Sequence, residues 1–247
     1  MTTITIITTV LNNKDLILDS INCIKNQSYK NIQHIIIDGG STDGTYELLI
    51  NCKNNNYNFD LIQKKTTIYE AINIGIRNSV GEVIGILHSD DVYQNDNVIQ
   101  KIIEEININK YDAVYGNLYY VSSENKKIRN WISGPFTNFK IETGWMPPHP
   151  TLFIKKKFYD VTGLYNEKFE ISADYDHILK IFKQDKIKIG YIDEHLVRMR
   201  IGGKSNKSFS SIKRKMQEDY IILKKYSNLP LIILLLKNLR KLQQFWR

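Results

Sequence analysis

Two adjacent carboxylates, Asp90 and Asp91, end an apolar run and are the clearest candidates for chemistry in the chain. The run covers residues 83–87, which is too short for a typical helix and therefore predicts a buried strand. In an α/β sheet, ligands bind at the carboxyl ends of the strands. Paired carboxylates at that edge suit a divalent cation whose other ligands are substrate phosphates. The alternative is that the pair only caps the helix that follows.

A second polar segment, residues 38–45, follows another predicted buried strand and has the sequence Asp-Gly-Gly-Ser-Thr-Asp-Gly-Thr. Its glycines and short polar residues favour tight turns and left-handed backbone. Asp38 could accept hydrogen bonds from a base or a ribose, and residues 41–43 could cap the next helix. Taken alone, the segment could equally be a simple connector between a strand and a helix.

These candidate residues need a scaffold that brings strand ends together. Apolar and β-branched runs predict strands, and apolar residues at i, i+3 and i+4 predict helices. The predicted strands cover residues 3–10, 32–37, 61–62, 83–87 and 113–115, and the predicted helices cover residues 15–26, 45–52, 68–78 and 97–108. This alternation implies an α/β fold with a Rossmann-like, mostly parallel central sheet flanked by helices. From residue 119 the pattern changes to hairpin-like strands at 119–121 and 128–131 and a proline-containing loop at 144–150.

The charge of the chain is unevenly distributed. The chain has 247 residues and a net charge of +8, which suits one α/β domain with an appendage. Residues 204–247 contain eleven lysines and arginines but two acidic residues, so the positive charge belongs to the C-terminal segment. This distribution argues against nucleic acid gripped by the main domain and favours a tail that meets an anionic surface. The alternative is that the tail packs on the domain or on a second copy of the chain.

Cysteine usage and hydropathy bear on the compartment. Cys23 and Cys52 lack the spacing of metal ligands, which indicates a reducing compartment and no structural zinc. The N-terminus has no signal-peptide pattern, and no stretch of about 18 apolar residues predicts a membrane span. We therefore expect a cytoplasmic protein. The apolar segment 229–236 and its basic neighbours are a candidate contact with the inner face of the cytoplasmic membrane.

Several motifs, in consistent order, resemble family 2 glycosyltransferases, which have the GT-A fold. The matching segments are residues 4–11, 35–45, 68–75, 84–91, 131–134, 147–153, 163–167 and 172–176. The resemblance covers roughly residues 1–205 and extends to members that assemble polysaccharides and surface glycans. It implies a GT-A domain at 1–210, with a nucleotide-sugar-binding half (1–116) and an acceptor half (117–210). The apolar and basic residues that follow predict a basic amphipathic helical tail at 211–247.

The resemblance also implies roles for individual residues. Asp174 would be the catalytic base, although it could instead be a carboxylate that only stabilises a helix N-terminus. Asp91, with Asp90, would ligate a divalent metal, Mn²⁺ or Mg²⁺. The expected nucleotide-sugar contacts are Thr8, Val10, Asp38, Asn73, Asp90 and Arg200, and the expected acceptor-side residues are Trp145, His149 and Asp176. The Gly-Gly-Lys-Ser loop at 202–205 would close over the donor phosphates or serve as a flexible linker.

Two positions depart from the family pattern. Residues 65–67 are Lys-Thr-Thr where an Asp-x-Gly is usual, and Ala173 replaces a glutamate in front of Asp174. The first change bears on donor recognition, for which Lys64 or Lys65 could supply a phosphate contact. The second change also occurs in polysaccharide-type members and does not imply inactivity.

The function implied by the resemblance is inverting, metal-dependent transfer of a hexose or N-acetylhexosamine from a nucleotide-sugar. The expected donor is a UDP-sugar, and the expected acceptor is a lipid-linked or growing surface glycan, with a homo-oligomer as a further option. One alternative is a catalytically silent nucleotide-sugar-binding subunit with the same fold. Another is a sugar nucleotidyltransferase, which needs a glycine-rich, basic loop after the first strand, and residues 9–13 do not form one.

Overall fold

The computed structural model describes residues 1–54, 57–201, 209–242 and 244. The elements of the first half are β1 (Ile4–Val10), α1 (Ile17–Lys25), β2 (Ile32–Asp38), α2 (Thr45–Asn54), β3 (Asp60–Gln63), α3 (Ile68–Asn78), β4 (Val83–Ile86), β5 (Val92–Tyr93) and α4 (Val98–Ile108). The later elements are β6 (Ala113–Val121), β7 (Lys127–Trp131), α5 (Asn138–Glu142), a 3-10 turn (His149–Thr151), β8 (Phe153–Lys155), α6 (Lys157–Thr162), α7 (Ala173–Phe182), β9 (Ile189–Arg200), α8 (Phe209–Tyr226) and α9 (Pro230–Leu242).

One sheet runs through the domain in the order β3-β2-β1-β4-β8-β6-β9-β5, and β7 pairs with β6. The strands β3, β2, β1 and β4 are parallel, as the α/β pattern predicts. The second half is mixed, because β8 is antiparallel to both β4 and β6 while β6 and β9 are parallel. The strands predicted separately at 113–115 and 119–121 are one continuous strand, β6.

The two faces of β1 pack against different helices, because side chains alternate along a strand. Ile7 belongs to the same buried cluster as Ile72 of α3, whereas Ile6 belongs to the cluster that contains Ile102 of α4. The approach of α3 depends on Gly75, where a Cβ atom would lie 2.5 Å from Cγ2 of Ile7. Because β1, β2 and β4 are parallel, their carboxyl ends lie at one edge of the sheet.

The C-terminal helices pack on the domain. Ile222 of α8 and Ile233 of α9 are buried in the same apolar cluster as α7. The two helices are joined by Lys237 and Asp219, whose charged groups are 2.9 Å apart, and Lys215 lies 3.0 Å from the same carboxylate. Burial by itself would raise the pKa of the Asp219 carboxyl. The positive charges of Lys215 and Lys237 outweigh burial and lower this pKa to about 2.

The opposite face of α9 is exposed and apolar. Its exposed side chains are Leu231, Ile232, Leu235, Leu236 and Leu239. The tail expected at 211–247 therefore packs on the domain along one side and presents an uncovered apolar side. None of the helices in the described residues is long and apolar enough to span a membrane. Residues 243 and 245–247 of that tail lie outside the described residues.

Candidate active site

Asp90 and Asp91 lie in the turn after β4, at the predicted edge of the sheet. Asp91 is fully buried, and neither of its carboxylate oxygens has a hydrogen-bond partner among the described residues. Burial and the neighbouring Asp90 raise the pKa of Asp91 well above its ordinary value, and Arg200 partly opposes this. The pair does not cap the next helix, because α4 begins at Val98. A buried, unpartnered carboxylate is costly, so these oxygens are suited to a ligand.

A hard divalent cation fits this carboxylate. Within the part of the chain that the structure describes, no group of three or more His, Cys, Asp or Glu side chains could form a complete metal centre. A cation at Asp91 would therefore take further oxygen ligands from a bound diphosphate or from water, as Mg²⁺ commonly does. Arg200, at the end of β9, lies beside this position and is held by a 2.7 Å ion pair with Asp19.

Asp38 shapes the loop that follows β2. Its buried carboxylate accepts hydrogen bonds from the backbone N–H groups of Gly40 and Ser41, at 3.1 and 2.8 Å. Gly40 has a φ of +96°, a left-handed conformation that glycine adopts without strain. Asn12, at the end of β1, also bonds this loop through Ser41 and Thr42. The loop is thus fixed at the same edge as Asp91, and contact between Asp38 and the nucleoside stays a prediction.

The structure does not bring the side chains of Thr8 and Val10 to this edge. Thr8 is fully buried and bonds the His34 ring at 2.9 Å, and Val10 lies on the same face in an apolar cluster. The adjacent Thr9 instead bonds Nδ1 of His88, at 3.0 Å. Neighbouring residues of a strand face opposite sides, so Thr9 points away from the face that carries Thr8 and Val10, and a donor contact at Thr8 or Val10 stays a prediction.

Asp174 occupies the first turn of α7 and is partly exposed. Its Oδ1 accepts a hydrogen bond from the Tyr175 N–H at 2.8 Å, and the Tyr69 hydroxyl approaches the same oxygen at 3.4 Å. Burial and the charge of Asp174 raise the pKa of Tyr69 well above its ordinary value, so the hydroxyl stays a donor. These contacts hold Oδ1, whereas no hydrogen bond to Oδ2 is formed within the part of the chain that the structure describes.

Two histidines, His88 and His149, are affected by the charge of Asp174, and the sequence predicted a role for His149 alone. The rings of His88 and His149 are 6.1 Å apart, centre to centre. Burial lowers the pKa of both, to about 4 for His149, and Asp174 partly opposes this at each ring. Asp90 acts on His88 in the same way. The missed signal was the place of His88 at the end of β4, three residues before Asp91.

His149 fits the expected acceptor side best among the three candidates. Its Nε2 lies 2.8 Å from the Tyr165 hydroxyl, and the residue as a whole is partly exposed. Trp145 is buried against Tyr115, with ring centres 5.5 Å apart. Asp176 is fully buried and paired with lysines of α7 and α8, at 2.7 and 3.3 Å. We therefore correct the expectation for Trp145 and Asp176, which support the fold.

Asn73 is also occupied by the protein. Its side chain donates to the Tyr165 carbonyl oxygen and to Glu167, at 2.9 and 2.8 Å, and accepts from the Tyr165 N–H at 2.9 Å. It is buried and ties α3 to the loop before α7, so we withdraw it as a donor contact. The phosphate loop expected at residues 202–205 lies outside the described residues.

The segment that departs from the expected pattern has a local structural role. Thr67 caps α3, because its hydroxyl accepts from the Glu70 N–H while the Glu70 carboxylate accepts from the Thr67 N–H at 2.6 Å. Lys64 donates its backbone N–H to the Asp38 carbonyl oxygen at 2.9 Å. Lys65 lies against Gly40. Both lysines therefore adjoin the Asp38 loop.

Comparison with known proteins agrees with this geometry. Solved structures with the same fold include TarS 1-349 from S. aureus in complex with UDP-GlcNAc, with a TM-score of 0.69, 15% identity and coverage of 92% of this chain and 68% of that one. A mannosyltransferase from Pyrobaculum calidifontis in complex with GDP-Man and Mn²⁺ has a TM-score of 0.69 and 14% identity, covering 96% and 69%. The fold is therefore that of the GT-A glycosyltransferases, as expected.

The sequence comparisons define the family. Residues 5–166 match the model of glycosyl transferase family 2, and the chain belongs to that family. A glycosyltransferase of Rickettsia conorii without an assigned reaction is 30% identical over 210 residues, which are 83% of this chain. The matched region is 34% of that relative, so the chain spans about a third of its length.

Proposed function

We propose that this chain is an inverting, metal-dependent glycosyltransferase that moves a hexose or N-acetylhexosamine from a UDP-sugar to a lipid-linked or growing glycan. The observation that carries the proposal is the buried Asp91 carboxylate, which has no hydrogen-bond partner among the described residues. In the same part of the molecule His88 lies within the electrostatic reach of both Asp90 and Asp174, and the His149 ring is 6.1 Å from that of His88. Family membership and the similar structures bound to UDP-GlcNAc and to GDP-Man with Mn²⁺ support the nucleotide-sugar donor.

The donor would lie along the edge formed by β1, β2 and β4. The Asp38 loop would receive the nucleoside, and Asp90 would face the ribose or the metal. Asp91 would hold Mn²⁺ or Mg²⁺, which supplies positive charge to the departing diphosphate. Arg200 and Lys65 are the basic side chains that we place nearest the phosphates, because one adjoins Asp91 and the other adjoins Gly40.

Asp174 would act as general base through Oδ2. It takes the proton of an acceptor hydroxyl as that oxygen forms a bond to the anomeric carbon, while the bond from that carbon to the diphosphate oxygen breaks. Attack from the face opposite the leaving group inverts the anomeric configuration. His149 stays neutral near pH 7, because burial lowers its pKa to about 4, so it would contact acceptor hydroxyls as an uncharged partner.

Release of UDP tests the proposal. A panel of UDP-sugars is incubated with the protein and Mn²⁺, and UDP release and thermal stabilisation are both recorded. We expect Asp91→Asn to lose metal-dependent UDP binding and Asp174→Asn to keep that binding while UDP release is abolished. Asp160→Asn, at an exposed carboxylate of α6, is the matched control and should resemble the wild type.

The outcomes separate the alternatives. Metal-dependent UDP binding without UDP release from any sugar would favour the silent binding subunit. Release of pyrophosphate from UTP and a sugar phosphate would favour the nucleotidyltransferase. Loss of UDP binding in a folded Asp174→Asn variant would refute its assignment as base.

For the acceptor side we propose contact with an anionic membrane through the exposed face of α9. The domain leaves this face uncovered, since Ile232, Leu235 and Leu239 are 54%, 61% and 49% exposed, at a spacing that forms one stripe. Lys215 and Lys237 are paired with Asp219 inside the protein. Attraction to anionic lipid, worth about 1 kcal/mol per charge near the surface, would therefore come from exposed lysines of α8 such as Lys213 and Lys224. An acceptor carried on a lipid would be presented at the same surface.

Vesicle sedimentation tests this contact. We expect the protein to sediment with phosphatidylglycerol vesicles and the double variant Leu235→Gln, Leu239→Gln to remain in the supernatant. Val161→Gln, which changes an exposed apolar residue of α6, should sediment like the wild type. Equal sedimentation of all three proteins would refute the contact, and a concentration-dependent dimer that the double variant abolishes would assign the stripe to a second copy.

A further inference from the structure

The carboxylate of Glu218, on α8, accepts hydrogen bonds from three consecutive backbone amides. Oε1 accepts from the Glu170 N–H at 2.9 Å, and Oε2 accepts from the Ile171 and Ser172 N–H groups at 2.9 and 2.8 Å. Glu218 is buried, so these charge-assisted bonds form where water competes little. Without the carboxylate, three amides in a partly buried segment would lose their partner at once.

The segment held by Glu218 leads directly into Asp174. Ser172 is the N-cap of α7, and Asp174 is the second residue of that helix. From another element, α3, the Tyr69 hydroxyl donates to the Ile171 carbonyl oxygen at 2.6 Å. The backbone in front of Asp174 is therefore held by two elements, which limits the positions that its carboxylate can take.

One face of α8 contacts residues 170–176 at three points. Arg214, Glu218 and Lys225 are separated by four and seven residues, so they share one side of the helix. Arg214 forms an ion pair with Glu170, and Lys225 lies 3.3 Å from the Asp176 carboxylate. These contacts bracket Asp174 in the sequence. They connect α8 to the first turn of α7, and both helices follow the segment that matches the family model.

We propose that Glu218 is a positioning residue for the reaction, and that α8 is therefore required for catalysis. The proposal rests on the proposed function of Asp174 as general base. Glu218 acts through the backbone of residues 170–172, which sets the distance and angle of the Asp174 carboxylate to the acceptor oxygen. Misplacement of a catalytic group by about 1 Å can cost about a hundredfold in rate.

The test uses the full chain with Mn²⁺ and the UDP-sugar that gives the fastest UDP release. Glu218→Gln keeps the size of the side chain but removes its charge and turns an amide NH₂ toward the backbone N–H groups. Asp219→Asn is the matched control, because it makes the same chemical change on the next residue of α8, whose partners are Lys215 and Lys237. The rate at saturating donor, the affinity for UDP and the thermal midpoint are measured for each.

We expect Glu218→Gln to release UDP at least about tenfold more slowly at saturating donor, with UDP affinity within about twofold of the wild type. Asp219→Asn should lose thermal stability but keep its rate within about twofold. A folded Glu218→Gln variant with the wild-type rate would overturn the proposal. So would a parallel loss of rate and UDP affinity, or an equal loss of rate in Asp219→Asn, since each indicates a merely structural role.

Two further variants keep the result interpretable. If Glu218→Gln does not fold, Glu218→Asp replaces it, because it keeps the charge but is one methylene too short to reach all three amides. The same selective loss of rate is expected, and an unchanged rate overturns the proposal. Asp174→Asn is measured alongside: if it releases UDP normally, the assigned base is wrong, whereas an inactive Asp174→Asn beside a fully active Glu218→Gln refutes the positioning role alone.

Discussion

Acidification from pH 7 to pH 5 should destabilise the fold through two buried histidines, His34 and His177. His34 lies on β2, and its ring is between the Thr8 and Tyr57 hydroxyls, at 2.9 and 3.2 Å. The ring of His177 bonds the Gly163 carbonyl oxygen at 3.0 Å on the helix that carries the proposed base. Burial lowers the pKa of each histidine to about 3.

The sign and size of the effect follow from proton binding. In the unfolded chain a histidine has a pKa of about 6.5, so between pH 6.5 and pH 3 the unfolded state binds more protons than the folded state. The stability from each neutral ring is therefore fully present above pH 6.5 and is lost as the pH falls. From pH 7 to pH 5 the loss is about 2 kcal/mol for each ring, or about 4 kcal/mol for both.

Urea unfolding at pH 7 and pH 5, followed by circular dichroism, measures this loss. Other groups also titrate, and Asp91 acts in the opposite direction because its pKa is raised by burial. The informative quantity is therefore the difference between the wild type and His34→Gln, in which these other groups cancel. We expect the variant to be less stable at pH 7 but to lose about 2 kcal/mol less than the wild type on acidification.

His195→Gln is the control for a histidine that is less buried. The ring of His195 bonds Asn130 Oδ1 at 2.6 Å and is partly exposed, so its removal should change the pH dependence less than removal of His34. Equal losses in the wild type and in His34→Gln would refute the reasoning, because they would mean that His34 takes up its proton without unfolding.

Three further variants probe packing and the site. Gly85→Ala should lower the free energy of unfolding by about 1–3 kcal/mol in urea titrations, because its Cβ would lie 2.5 Å from the Phe153 ring; unchanged stability would mean that β4 and β8 separate easily. Asn73→Ala should cost about 2–4 kcal/mol and leave UDP affinity unchanged, since its bonds hold two elements together; a selective loss of UDP affinity would restore it as a donor contact. Tyr69→Phe should slow UDP release without changing UDP affinity, because the hydroxyl supports the backbone and the carboxylate of Asp174; a normal rate would exclude that support.

The sequence was sufficient for the elements whose signal is local. The apolar run that became β4 ends in Asp90 and Asp91, and the Asp38 loop follows β2, because short buried strands and tight turns are encoded by neighbouring residues. The strand order could be expected to place both at one edge. The side chains of Thr8 and Val10 lie on the face of β1 that packs inside the domain, because neighbouring residues of a strand face opposite sides, and a donor contact at these two residues stays a prediction.

Other parts of the site were beyond the reach of local patterns. Asn73 and Asp176 are polar residues on helices that carry site residues, and only their partners from distant segments reveal that they support the fold. The exposed side of α9 shows the same limit, because its apolar run predicts a buried or membrane-facing helix without saying which side is covered.

By itself, the sequence determined β1 to β4 and the carboxylates after β2 and β4, since each depends on residues close together in the chain, whereas β5, β8 and β9 were not predicted. The tertiary structure decided which of these groups meet. Asp174 comes close to His88 although the two are far apart in the sequence, and Glu218 reaches its supporting backbone from a helix that begins at Phe209. The physical reason is that burial and hydrogen-bond partners are set by packing between distant segments, and packing decides which carboxylate is left without a partner.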